Sequence, residues 1–214
     1  MIALLLCACG SSEPLLPSIV SVTPARLSTS ECVLLEVELD GALPLKLDYG
    51  KDSVELITLT QVGIAGQSFS VQEMEDQGRR LLTELPAGLP VGKQDVRVTL
   101  QDGQQALLPG GVEVTPRLVL ETFRIDPIMT QVRNQPFTVT IRATGQDAHL
   151  FQGRVRLRSN RGTLEPSWSK PFQAGLLEQV VMIDDTGGNN VLIEMTDCDH
   201  RMVNSNEFRL EARP

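Results

Sequence analysis

The chain has 214 residues, a formal net charge of -8, 41% hydrophobic residues and only 4% aromatic ones, with a single Trp and a single Tyr. That length accommodates two domains of about a hundred residues, each able to bury its own core. The acidic balance argues against a nucleic acid partner, which needs clustered Lys and Arg, and the scarcity of aromatics means cores of Leu, Val and Ile rather than a sugar-stacking surface. No apolar run approaches the roughly 18 to 20 residues of a membrane-spanning helix, so any attachment to a membrane must come by another route.

The first residues, Met1 to Cys9, form a short apolar run closing on Leu6-Cys7-Ala8-Cys9. This tetrapeptide resembles the lipobox of bacterial lipoproteins, in which an aliphatic residue and two small ones precede the lipidated cysteine. The resemblance implies a signal over 1–8, acylation of Cys9 and a tether over 9–17, in which Gly10-Ser11-Ser12-Glu13-Pro14 serves as a spacer. Cys7 stands where Ala or Ser is commoner, and no positively charged n-region precedes the apolar run, so this reading puts the true start codon upstream. The competing reading, a frayed N-terminus of a cytosolic protein, leaves the spacer unexplained. Gly10, in the position where Asp would retain such a protein at the inner membrane, points in that family to the outer membrane, facing either the periplasm or the surface.

Beyond Pro17 the chain reads as short β-like runs separated by Gly, Pro, Asn and Asp about every 8 to 12 residues, the rhythm of a sandwich. Leu35, Val37 and Leu39 alternate with Glu36 and Glu38, and Val96, Val98 and Leu100 alternate with Arg97 and Thr99. Such alternation buries one face and wets the other. The polar segment Val71 to Leu82 reads as a loop or a short helix. Further on, Phe137, Val139 and Ile141 interleave with Thr138, Thr140 and Arg142, Val155 and Leu157 interleave with Arg154, Arg156 and Arg158, and Val180–Ile183 and Val191–Met195 follow. Turns are expected at Thr144–Asp147, Ser159–Gly162 and Gly187–Asn190. The predicted border lies near Thr115-Pro116-Arg117, giving domains over 18–116 and 117–214.

The first of these domains resembles the IPT/TIG family. The likeness rests on Ile19-Val20-Ser21-Val22-Thr23-Pro24, Leu47-Asp48-Tyr49-Gly50, the run Leu85 to Gly92 leading into Asp95–Thr99, and Gly111–Pro116. It departs from the family at Ser28-Thr29-Ser30-Glu31-Cys32, where a Gly-rich turn is usual, and in a polar insertion around Gln72 to Arg80. The second domain resembles bacterial Ig-like repeats through Phe123–Ile125, Gln135–Ala143, Phe151–Leu157, Gly162–Pro166, Phe172, Gly175 and Ser205–Phe208. Both resemblances imply an all-β fold of two tandem immunoglobulin-like β-sandwiches, and neither carries a catalytic residue.

The chemistry-bearing motifs are sparse. The sequence contains no Gly-x-Ser-x-Gly, no His-Glu-x-x-His and no Walker A loop, and it holds two histidines, His149 in a turn and His200. Asp197-Cys198-Asp199-His200, with Asp184-Asp185 elsewhere in the chain, gathers metal-capable residues, but one cluster without regular ligand spacing reads more readily as a polar turn than as a cation site. With Cys7 removed and Cys9 acylated, Cys32 and Cys198 remain. One disulfide could lock the two domains together in an oxidising compartment, yet two buried free thiols are at least as well supported, and the reading leans to the thiols. Trp168 and the arginine stripe of Arg154, Arg156 and Arg158, continued by Arg161, are the candidate contact residues. For Trp168 the reading prefers packing over a sandwich edge, and for the arginines an ordinary solvated strand face. The expected function is therefore a non-enzymatic, membrane-anchored envelope protein without a cofactor, acting as a structural or protein-interaction module toward envelope or surface proteins. A carbohydrate-binding or enzyme-accessory module is the alternative.

Overall fold

A computed structural model describes residues 17–43, 60–100, 103–184 and 188–211. The expected lipid site at Cys9 with its tether, the Leu47–Gly50 segment and Asp185 lie outside the described residues. Within the described residues the protein is built of strands and two single-turn 3-10 segments, and no helix is long and apolar enough to cross a membrane.

The first half contains β1 (Ile19–Thr23), β2 (Arg26–Ser28), β3 (Val33–Leu39), β4 (Gln61–Ile64), β5 (Gln67–Glu75), β6 (Arg80–Leu85), β7 (Gly92–Thr99) and β8 (Gln105–Thr115). Their order is β1-β3-β6-β5-β4-β7-β8-β2. β1 and β2 are consecutive in the chain yet occupy opposite ends of this order, β1 antiparallel to β3 and β2 parallel to β8. β5 likewise pairs with β4 along its first residues and with β6 along its last. The sheet therefore folds into two layers with corners at these switching strands, and the alternating apolar residues point between them. Leu35, Val37, Leu81, Val96, Val98 and Val112 are all fully buried in that core.

Val71 to Leu82, expected as a loop or short helix, is instead the end of β5, a tight turn over Asp76–Gly78 and the start of β6. The sequence QSFSVQEME hides the strand because Phe69, Val71 and Met74 are only half-buried along it. The turn closes through left-handed backbone at Asp76, Gln77 and Gly78. A side chain at Gly78 would meet both φ +83° and Leu43 Cβ at 3.1 Å, so glycine is the residue that fits there without strain.

The second half contains β9 (Thr122–Ile125), β10 (Gln131–Val132), β11 (Phe137–Thr144), β12 (Arg156–Ser159), β13 (Thr163–Glu165), β14 (Leu176–Asp184), β15 (Gly188–Val191), β16 (Ile193–Thr196), β17 (Met202–Asn204) and β18 (Phe208–Glu211). One layer is β13-β14-β11-β9; the other is β12-β16-β17 continued by β10-β18-β15. With β15–β16 and β17–β18 as the two halves of one hairpin, four strands face a layer made of β12, that hairpin and the short β10, a two-layer immunoglobulin-like sandwich. Phe123, Phe151 and Phe172 meet edge to face at its core, with ring centroids 4.9–5.8 Å apart, a geometry worth about 0.5–1.5 kcal/mol per pair beyond area burial. The first core ends at Val114 and the second begins at Leu118, so two sandwiches follow one another with a short stretch of chain between their cores.

Candidate functional site

The residues that carry unusual chemistry gather where the two sandwiches meet. The chain between β2 and β3 presents Glu31 and Cys32 to the second sandwich, and the stretch before β12 presents Gln152, Gly153 and Arg154 to the first. Glu31 is only 2% exposed. Its Oε2 accepts the Ser28 backbone N–H at 2.7 Å, and its Oε1 accepts the Gln152 and Gly153 N–H groups at 2.7 and 2.9 Å. Burial pushes this carboxyl above the usual value, and the hydrogen bonds from Gln152, Ser28 and Gly153 pull it part of the way back. Gly153 makes the approach feasible. A Cβ there would stand 3.0 Å from the Phe151 ring and 3.2 Å from Glu31 Cβ.

The next residue continues the clasp. Cys32 carbonyl accepts the Arg154 backbone N–H at 2.8 Å, and its sulfur is bonded to that of Cys198, with the two Cα atoms 5.8 Å apart and 166 residues apart in sequence. The lean toward two free thiols is thus corrected. β3 turns its even-numbered residues away from the core, so Cys32 lies on the opposite side of the strand from buried Val33 and faces the neighbouring sandwich.

Arg154 also departs from expectation. Its side chain is 15% exposed rather than part of a wet stripe: the guanidinium donates to Glu84 Oε1 of the first sandwich at 2.6 Å and to Ser169 carbonyl at 2.7 Å. It lies 5.6 Å from the centre of the half-buried Trp168 ring, a cation–π distance. The cause is the strand start: β12 begins only at Arg156, so Arg154 follows the turn of the chain into the joint. Arg156 and Arg158 do lie exposed on β12, opposite Thr196 and Glu194, while Arg161 reaches back to the Asn189 carbonyl.

The Asp197–His200 cluster is organised around arginine. Asp197 Oδ1 accepts the Asp199 and Arg201 N–H groups, and its Oδ2 pairs with Arg201 at 2.8 Å. Asp199 pairs with Arg201 at 2.6 Å and also with Arg117, at the link between the sandwiches. With both carboxylates engaged by guanidinium groups, the weak metal candidates Asp197, Asp199 and His200 form a closed turn that braces the joint. His200 is exposed, its backbone left-handed at φ 63°. Among the described residues no three His, Cys, Asp or Glu side chains converge as a metal site.

Sequence reasoning singled out Trp168, Arg154 and the possible Cys32–Cys198 pair without linking them, and the structure brings all four to one joint. It missed Glu31 and Glu84. The available signal was the Ser28–Cys32 departure from the family pattern, since a charged residue replacing a Gly-rich turn needs a partner. A groove of about 440 Å³ opens over the joint, lined by Cys32, Val33, Phe69, Glu84, Arg154 and Trp168. Its lining combines apolar Val33 and Phe69 with the Glu84–Arg154 ion pair.

No family model and no curated protein matches the chain. Among solved structures it is similar to the Yersinia pseudotuberculosis adhesin InvE, at 12% identity and TM-score 0.39, covering 89% of this chain and 58% of that one. The D0-D1 domain of intimin is similar at 12% identity and TM-score 0.35, covering 89% and 96%. A Dpr2 Ig1-Ig2 chain in complex with DIP-Theta Ig1-Ig3 is similar at 9% identity and TM-score 0.29, covering 93% and 96%. The chain spans little more than half of the InvE structure, and its sandwich assignment rests on its own strand order.

Proposed function

We propose that this chain is a non-enzymatic envelope lipoprotein, anchored through Cys9 to the outer membrane, in which domains 18–116 and 117–214 act together as a structural and protein-interaction module. The observation that carries the reading is the joint. A disulfide, a buried carboxylate accepting backbone N–H groups from the far side, and the Glu84–Arg154 pair together fix the two sandwiches. Structural disulfides form and persist in oxidising compartments, which agrees with export and with the Leu6-Cys7-Ala8-Cys9 signal. Fixing two sandwiches presents their surfaces at one set angle, which lowers the ordering entropy lost when a partner binds across both.

The partner expected is another envelope or surface protein, meeting the groove beside Trp168. Expression in cells fed a fatty-acid analogue, compared with Cys9→Ala by membrane fractionation, tests the anchor: label and membrane association should both vanish in the variant. A photo-crosslinker replacing Trp168 tests the partner, and it should trap one defined envelope protein. An unlabelled soluble protein, or adducts spread evenly over the proteome, would contradict the respective half of the proposal.

A further inference from the structure

The position of the bridge in the chain has a mechanical consequence. Cys32 lies between β2 and β3 and Cys198 just after β16, 166 positions apart in sequence, so the bridge encloses the whole chain from β3 to β16. A pull applied to the two ends of the chain enters through β1 and β2, crosses at the sulfurs and leaves through β17 and β18. Everything from β3 to β16 is bypassed.

The outer strands are also loaded along their strongest direction. β1 lies antiparallel on β3 with Ile19 opposite Leu39 and Thr23 opposite Glu36, so the end that is pulled is the end farther from Cys32. β18 lies on β15 with Phe208 opposite Val191 and Leu210 opposite Gly188, so the end that is pulled is the end farther from Cys198. In both places the two paired strands are held at opposite ends. Ladder hydrogen bonds run perpendicular to strands, so tension along the strand shears all of them together rather than opening them one by one.

We infer that the Cys32–Cys198 bridge is a mechanical shunt: it carries tension between the chain before Cys32 and the chain after Cys198 directly across the joint, so that only the outer strands can be drawn out and the chain from β3 to β16 is held. This is a function of the chain's connectivity and does not depend on the identity of a partner or on acylation of Cys9.

Single-molecule stretching of the oxidised full chain from its two termini tests it. The oxidised protein should extend only along the residues outside the bridge, 31 before Cys32 and 16 after Cys198, or roughly 160 Å of extended chain. Adding dithiothreitol, or using the Cys32→Ser/Cys198→Ser variant, should expose the enclosed segment and lengthen the final extension by roughly 550–600 Å. Equal final extensions with and without reductant would overturn the proposal. So would a reduced chain that has no strand signal in circular dichroism before any force is applied, because the bridge would then serve folding rather than load.

Discussion

Replacing Glu31 is the sharpest test of the joint, because one side chain satisfies three backbone donors that belong to both sandwiches. In Glu31→Ala the Ser28, Gln152 and Gly153 N–H groups lose their acceptor, two of them in fully buried surroundings. Each buried donor left unsatisfied costs about 1–3 kcal/mol. Removing a desolvated carboxylate returns part of that, since burial of the charge is itself unfavourable, so the expected loss is about 2–4 kcal/mol. Glu31→Gln should lose less, about 1–2 kcal/mol: its amide oxygen can still accept from Gln152 and Gly153, while its NH2 faces the Ser28 N–H. Urea unfolding followed by the emission of Trp168, the sole tryptophan and a neighbour of Arg154 at the same joint, reads both variants. An alanine variant within 0.5 kcal/mol of the parent, a margin typical of about any surface substitution, or a glutamine variant weaker than the alanine one, would refute the reasoning.

The same residue sets a pH signature. Because the folded carboxyl is raised above its unfolded value of 4.5, the folded protein binds more protons than the unfolded chain between that value and its own. The stability Glu31 contributes is therefore full below 4.5 and is lost as pH rises through the folded value; relative to Glu31→Gln, the parent should gain stability on acidification from neutral pH toward 4.5, and a pH-independent difference would contradict this. Arg154→Ala should lower stability by about 1.5–3 kcal/mol by stranding Glu84 and the Ser169 carbonyl and should shift the Trp168 emission, whereas Arg156→Ala and Arg158→Ala should stay within about 0.5 kcal/mol of the parent. Gly153→Ala should cost about 1–3 kcal/mol through contact with Phe151 and Glu31, seen as a lower urea midpoint. Cys32→Ser/Cys198→Ser should lose about 3–5 kcal/mol, the range for closing so long a loop, with a refutation if its urea midpoint matches that of the oxidised parent.

The sandwiches were legible in the sequence wherever strands bury one face. Leu35–Leu39, Val96–Leu100 and Phe137–Ile141 alternate cleanly, and these became β3, β7 and β11. β5 was not legible because it is only half-buried along its length, so its pattern carries no strong period. The joint was legible only as scattered residues. Glu31 and the two donors it accepts from across the joint lie 121 and 122 residues apart, and those donors are backbone N–H groups, which no side-chain pattern reveals. The bridge faces the same difficulty across 166 residues, where the turn of one strand decides whether two thiols meet. Arg154 looked like its neighbours Arg156 and Arg158 because alternation continues through it, although the strand itself starts two residues later.

The clasp of the two sandwiches at one joint is tested most directly by peptide mapping of the native protein. Protease digestion without reductant, after blocking of free thiols, should yield one linked pair of peptides containing Cys32 and Cys198, which separates on reduction. Recovery of either cysteine in alkylated form, or linked to any other cysteine, would contradict the clasp and with it the fixed arrangement of the two sandwiches.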